Sequence, residues 1–126
     1  MPPAGEVRLV YARPAPDGDE PLVAIVRTEH EAQAIEAEVG RLHPAVRVMW
    51  ETHVLNGHPA GAVHAVLLEA GDDPIGVAAF TSRADAEKAR EHEARDGMSY
   101  VVASHPMGWR RSGWPFDPAT PATPAG

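Results

Sequence analysis

With 126 residues, 18 carboxylates against 11 Lys and Arg and a formal charge of −7, the chain has the size of one domain and is a poor match for nucleic acid, whose phosphates are held mainly by basic side chains. It has no cysteine, which excludes disulfides, thiolate nucleophiles and cysteine-ligated metals. No apolar run approaches the ~20 residues of a membrane span, and Met1 to Glu6 has no basic or apolar region of the signal-peptide kind. These features predict a cytoplasmic protein with neither nucleic acid nor membrane as partner.

In chain order, Val7 to Tyr11 reads as a strand, followed by the acidic, proline-rich hairpin Arg13 to Pro21 and a second strand over Leu22 to Val26. Thr28 with Glu31 has the spacing of a capping box and starts a helix in which Ala32, Ile35, Val39 and Leu42 form one apolar stripe. Val46 to His53 is the next strand. Asn56-Gly57 then makes a tight turn and a natural junction. Beyond it the order recurs: a strand over Val63 to Leu67, the short turn Gly71 to Pro74, a strand over Ile75 to Ala79, a helix capped by Ser82 with Asp85, and a strand over Met98 to His105. The second helix offers only Ala86, Ala89 and Ala94, so it should be held more weakly than the first.

The strands Val46 to His53 and Met98 to His105 align at a constant offset, and each ends in a hydroxyl residue followed by His. Residues 7–55 and 63–107 therefore read as two copies of one ββαβ unit within a single domain, 1–107. The expected fold class is α+β: two tandem ββαβ units forming antiparallel sheet or sheets with both helices on one face, ferredoxin-like or α/β-barrel-like. Residues 108–116 form an aromatic and basic arm, and 117–126 a flexible Pro/Thr/Ala-rich tail.

The run Ile75 to Ser82, the helix with Asp85-Ala86-Glu87 and the strand after it resemble small uncharacterised bacterial ββαβ domains, which implies no known activity. More broadly, residues 22–105 resemble the ferredoxin-like fold, as βαβ-ββαβ with an added leading strand. In dimeric α/β-barrel proteins that fold makes a small-molecule cavity from its sheet faces, so the resemblance implies such a cavity without a recognisable catalytic constellation.

Period-two alternation places Val46, Val48, Trp50 and Val54 on one face, beneath the helix, and Arg47, Met49, Glu51 and His53 on the other. That second face, completed by Ser99, Val101, Ala103, His105 and by Val10, Val23, Ile25, Val66 and Leu68 of neighbouring strands, is too apolar for open water. The other repeat, a second subunit or the arm should cover it.

Two groups of residues are candidates for function. In the arm, Trp109, Arg110, Arg111, Trp114 and Phe116 are of the kinds enriched at interface hot spots; they dock either on the chain's own body or on a partner. His53, His64 and His105, with Met49, could line a ligand cavity, and equally read as strand-end and turn histidines bonded to backbone or water; no carboxylate that would orient them is identifiable. The acidic hairpins lack the ligand spacing of a calcium loop, and no catalytic residue, metal site or cofactor is expected. The sequence thus points to a non-catalytic interaction or accessory module that binds a protein partner or a second copy of itself. The alternative is a small-molecule-binding or monooxygenase-like α/β barrel with a histidine-lined cavity.

Overall fold

Strand-forming alternation and two hydroxyl caps fix the element order. In the computed structural model, which describes residues 5–13, 20–58, 61–70 and 73–117, the chain runs β1 (Glu6–Arg13), β2 (Leu22–Val26), α1 (Glu29–Leu42), β3 (Arg47–Asn56), β4 (Ala62–Ala70), β5 (Asp73–Phe80), α2 (Arg83–Glu93) and β6 (Tyr100–Pro106). Thr28 Oγ1 accepts from Glu31 N while Glu31 reaches back to Thr28 N, the full reciprocal box; Ser82 accepts from Asp85 N alone. The last strand begins at Tyr100, so Met98 and Ser99 lie outside it, and a short 3-10 turn, Ala94–Asp96, ends at Gly97 with φ 84°.

The six strands form one α+β sheet in the order β2-β1-β3-β5-β4-β6. Four of its five pairings are antiparallel and β3–β5 is parallel, so the expected antiparallel sheet is corrected to a mixed one. The reason is connectivity: each half places its first strand centrally between its other two, so the halves abut through a third strand and a second strand that run the same way.

The sheet curls until its inner faces meet. Val7, Leu9, Tyr11 and Ile25 of the first half pack with Val63, Ala65, Leu67 and Ala79 of the second in one buried cluster. Alanines at 65, 79 and 103 keep this interior narrow and filled by side chains. Both helices lie on the outer face. Under α1, Ala32, Ile35 and Val39 meet Val10, Ala12, Val23 and Val26, with Val48 and Trp50 alongside. Under α2 only Ala86, Val66 and Tyr100 are buried, which matches its alanine stripe.

Several face assignments need correction. Val10, Val23, Val66 and Leu68 belong beneath the helices, because the alternation of their strands is set by Leu9, Tyr11 and Leu67 pointing inward and by irregularities in register at Val10/Tyr11 and Val66/Leu67. Met49 and Val54 are half exposed. The helix does not extend over Val54, and Met49 stands at an opening in the sheet.

The curl has two seams. At the first, β3 and β5 pair only at Leu55↔Ala79 and Asn56↔Phe80, although β3 begins at Arg47 and β5 at Asp73. At the second, the chain turns after β6 and lays residues 108–111 along β2: Gly108 N donates to Ile25 O, Ile25 N to Trp109 O and Arg111 N to Val23 O, at 2.8 to 2.9 Å. Gly108, with φ 85°, supplies the left-handed residue this turn needs.

Candidate functional site

Where β3 and β5 diverge, the missing ladder is replaced by a side chain. Glu51 Oε1 accepts from Gly76 N of β5 at 3.0 Å, from the hydroxyl of Tyr11 on β1 at 2.8 Å, and from His53 Nε2 at 3.3 Å. Period-two geometry makes this cluster. Glu51 and His53 are alternate residues on one face of β3, and Tyr11 stands one pleat away, opposite Met49.

Gly76 lets the carboxylate approach. A Cβ there would lie 2.6 Å from Glu51 Oε1, 2.7 Å from Leu9 Cδ1 and 2.9 Å from His53 Nε2, so no other residue fits this position without moving the cluster or the core.

The electrostatics of the group are settled by these bonds. Burial pushes the Glu51 pKa up, but hydrogen bonds from His53, Tyr11 and Gly76 N outweigh it and hold the carboxyl below its ordinary range. Glu51 is an anion at neutral pH. Burial first, and then the neighbouring Glu51 charge, drive the Tyr11 pKa well above the usual phenol value, so the hydroxyl stays a neutral donor. An ionised carboxylate only accepts, which puts a proton on His53 Nε2. Oε1 is saturated with donors, whereas among the described residues none donates to Oε2.

Glu51 lines a pocket of about 360 Å3 together with Tyr11, Met49, Trp50, Pro74 and Ile75. Its walls are mostly apolar, and its polar groups are the Tyr11 hydroxyl and the carboxyl groups of Glu51 and Glu20. Glu20 closes one side and connects to a smaller hollow of about 140 Å3 bounded by Arg13, Arg47 and Met49. Glu20 is buried and ion-paired to Arg13, Nη2 to Oε2 at 2.8 Å.

The four residues expected to share a cavity are dispersed. His53 belongs to the Glu51 cluster and Met49 to the pocket wall. His105 is stacked on Trp109 with ring centroids 3.7 Å apart, and burial holds its pKa below the ordinary histidine value. His64 faces Ser104 across β4–β6, with Nδ1 2.7 Å from Oγ, in register with Phe80 on the helix side of the sheet. Glu51 and Tyr11 were missed as site residues. The carboxylate partner of His53 sits two residues before it, on the same strand face; that signal was in the sequence, but the approach of Tyr11 and Gly76 was not. Among the described residues no three His, Asp or Glu side chains converge into a metal site.

The arm residues lie on the chain's own body. Trp109 packs on the inner cluster, whereas Trp114 and Phe116 pack on the outer cluster beside α1, so the arm grips β2 from both faces. Arg110 pairs with Glu38 of α1 and covers the Phe116 ring at 4.1 Å, Arg111 lies 5.8 Å above Trp114, and His43 Nε2 is 2.8 Å from Asp117 O. Pro115 between the aromatics is fully buried. The tail beyond Asp117 lies outside the described residues, as do most of the first hairpin and Gly71 and Asp72 of the second. Among the described residues no helix is long and apolar enough to cross a membrane.

Family models, curated proteins and solved structures were all compared with this chain, and none matches it.

Proposed function

We propose that this protein is a small-molecule-binding barrel whose ligand enters the gap between β3 and β5 and is held by Glu51. The observation that carries this reading is the state of one side chain: an ionised carboxylate that lines a largely apolar pocket, with one oxygen saturated by three donors and, among the described residues, no donor to the other. Such a group is oriented in advance, and its other oxygen favours a ligand with an ammonium or another strong donor and an apolar body. Binding rather than turnover fits best, because His53 and Tyr11 both serve Glu51 as donors.

The equal strand orders β2-β1-β3 and β5-β4-β6, and the equal succession of elements, support the reading that the chain is a tandem ββαβ repeat related to ferredoxin-like barrels and to small bacterial ββαβ domains. On that reading the pocket lies between the repeats and replaces the cavity that dimeric relatives build from two chains. The absence of cysteine supports the cytoplasm as its compartment.

Calorimetric titration with butylamine, hexylamine and octylamine, set against hexanol, tests the reading. Wild type should bind the amines with affinity rising with chain length, and Glu51→Gln should lose them. Equal binding of amine and alcohol, or an unaffected Gln variant, rejects it.

A second reading rests on the exposed apolar side chains Val54, Ile75 and Val77 of β3 and β5, each at least 37% exposed beside the same gap. It is the interaction module, docking a protein or a second copy there rather than through the arm. Light scattering distinguishes the two: Ile75→Lys and Val77→Lys should turn a dimer into a monomer only if those side chains form an interface.

A further inference from the structure

A strand offers hydrogen bonds on two sides, and β3 is paired on one side only for most of its length. Leu55 N donates to Gly5 O and Thr81 N to Asn56 O, each at 2.8 Å, so the odd-numbered residues of β3 turn their backbone groups to β1 and the even-numbered ones turn theirs to β5. Pairing with β5 reaches only Leu55 and Asn56. Val48, Trp50 and Thr52 therefore present N–H and C=O groups that meet no partner among the described residues. β5 does not answer them, because Pro74 has no N–H and Gly76 N is taken by Glu51. The pocket beside this edge is lined both by Tyr11 of the inner cluster and by Trp50 of the outer one, so it opens through the sheet. The other seam shows how the fold fills a strand edge: residues 108–111 lie along β2 as an added antiparallel strand.

Resting on the reading that Glu51 receives an ammonium, we infer that this ammonium is the side chain of a lysine in an extended segment of a partner protein, which adds to β3 as an antiparallel strand at the open end of the gap. The residues facing Val48 and Trp50 exchange backbone hydrogen bonds with them. The residue between, opposite Met49, forms a non-hydrogen-bonded pair on the face that carries Glu51. Glu51 is its diagonal neighbour, a distance that long side chains span, and the four-carbon stem of lysine runs beside Met49 to the carboxylate. The flanking side chains emerge on the opposite face next to Trp50, where apolar ones fit. The bond from Gly76 to Glu51 lies further in and need not break. Charge selects lysine at the central position, because the Glu51 carboxyl is held ionised. The partner is a different protein, since the only lysine of this chain, Lys88, sits within helix α2.

The probe is acetyl-Thr-Val-Lys-Val-Thr-amide, titrated beside hexylamine against wild type and Glu51→Gln. The peptide should bind wild type about tenfold tighter than hexylamine, as a few net backbone hydrogen bonds produce. With norleucine in place of lysine it should not bind, and Glu51→Gln should lose both ligands. N-methylation of the two valines, whose amides face β3, should remove the tenfold, whereas N-methylation of the lysine, whose amide faces away, should keep it. Amide hydrogen exchange at Val48 and Trp50 should slow with the peptide and not with hexylamine. If hexylamine binds but the peptide binds no tighter, if methylated valines keep the gain, or if exchange at Val48 and Trp50 is unchanged, strand addition is overturned while the amine site stands. Peptide binding that survives Glu51→Gln overturns the lysine, and a dimer that the peptide dissociates in light scattering overturns the separate partner in favour of a second copy. If neither ligand binds, this inference and the amine reading fall together.

Discussion

The two seams of the curled sheet solve the same problem in opposite ways. At the β2 seam, residues 108–111 supply backbone donors and acceptors to a strand edge, and Trp109, Trp114 and Phe116 cover both its faces. At the β3–β5 seam, backbone pairing stops after two residues and a carboxylate bridges the remainder to one amide. The first arrangement removes apolar area and an open edge from water, which stabilises the fold. The second keeps a charge, a gap and exposed apolar side chains, which are liabilities for folding but suit a binding site. Stability should concentrate at one seam and ligand response at the other.

The sharpest way to break this contrast is to remove residues 107–126. Two tryptophans and a phenylalanine at about 1.5 to 2 kcal/mol each for a partly buried aromatic predict a loss on the order of 4 to 6 kcal/mol, and a thermal midpoint lower by more than ~10 °C. An unchanged midpoint would show that β2 holds its place without the arm.

At the open seam the largest single effect should come from Gly76→Ala. The new methyl would meet Leu9 as well as the movable Glu51 tip, and overpacking of that kind costs about 1 to 3 kcal/mol. Denaturant unfolding measures that loss, and amine titration of the same variant should show weakened binding. Full stability with full binding would mean that β5 shifts freely and that the gap is not fixed.

A pH titration of stability separates the seams further. Burial depresses the pKa of folded His105, so the unfolded chain takes up that proton first; its neutral stacked form stabilises the fold above the free value of 6.5, and this contribution is lost as pH falls from there toward the folded pKa. In urea melts between pH 7.5 and 5, His105→Phe, which keeps the stack but cannot titrate, should fall less steeply than wild type. Parallel curves would place the titrating contribution elsewhere.

The smallest effect compares the helix starts. Thr28→Ala breaks a reciprocal box and should cost about 1 kcal/mol, whereas Ser82→Ala removes a single cap bond and should cost less. Equal losses in chemical denaturation would mean that the Glu31 side chain adds nothing.

Local order was legible in the sequence because it depends on neighbours. Thr28 with Glu31 and Ser82 with Asp85 marked both helix starts, alternation marked the strands, and the alanine stripe of α2 foretold its thin packing. Alternation says that residues share a face, but not which face turns inward. Val10, Val23, Val66 and Leu68 were therefore placed on the wrong side, a choice made by the curl that sets Leu9, Tyr11 and Leu67 opposite one another. The candidate site divides along the same line. Glu51 and His53 are two residues apart and their contact follows from pleat geometry, whereas Tyr11 and Gly76 come from strands 40 and 25 positions away and reach Glu51 only because β3 and β5 part. Composition likewise marked the arm as aromatic and basic, but whether it grips its own β2 or another molecule depended on where β6 ends in space. Contacts a few residues apart are fixed by backbone geometry; those across the sheet are fixed by which strands become neighbours, and only the tertiary structure decides that.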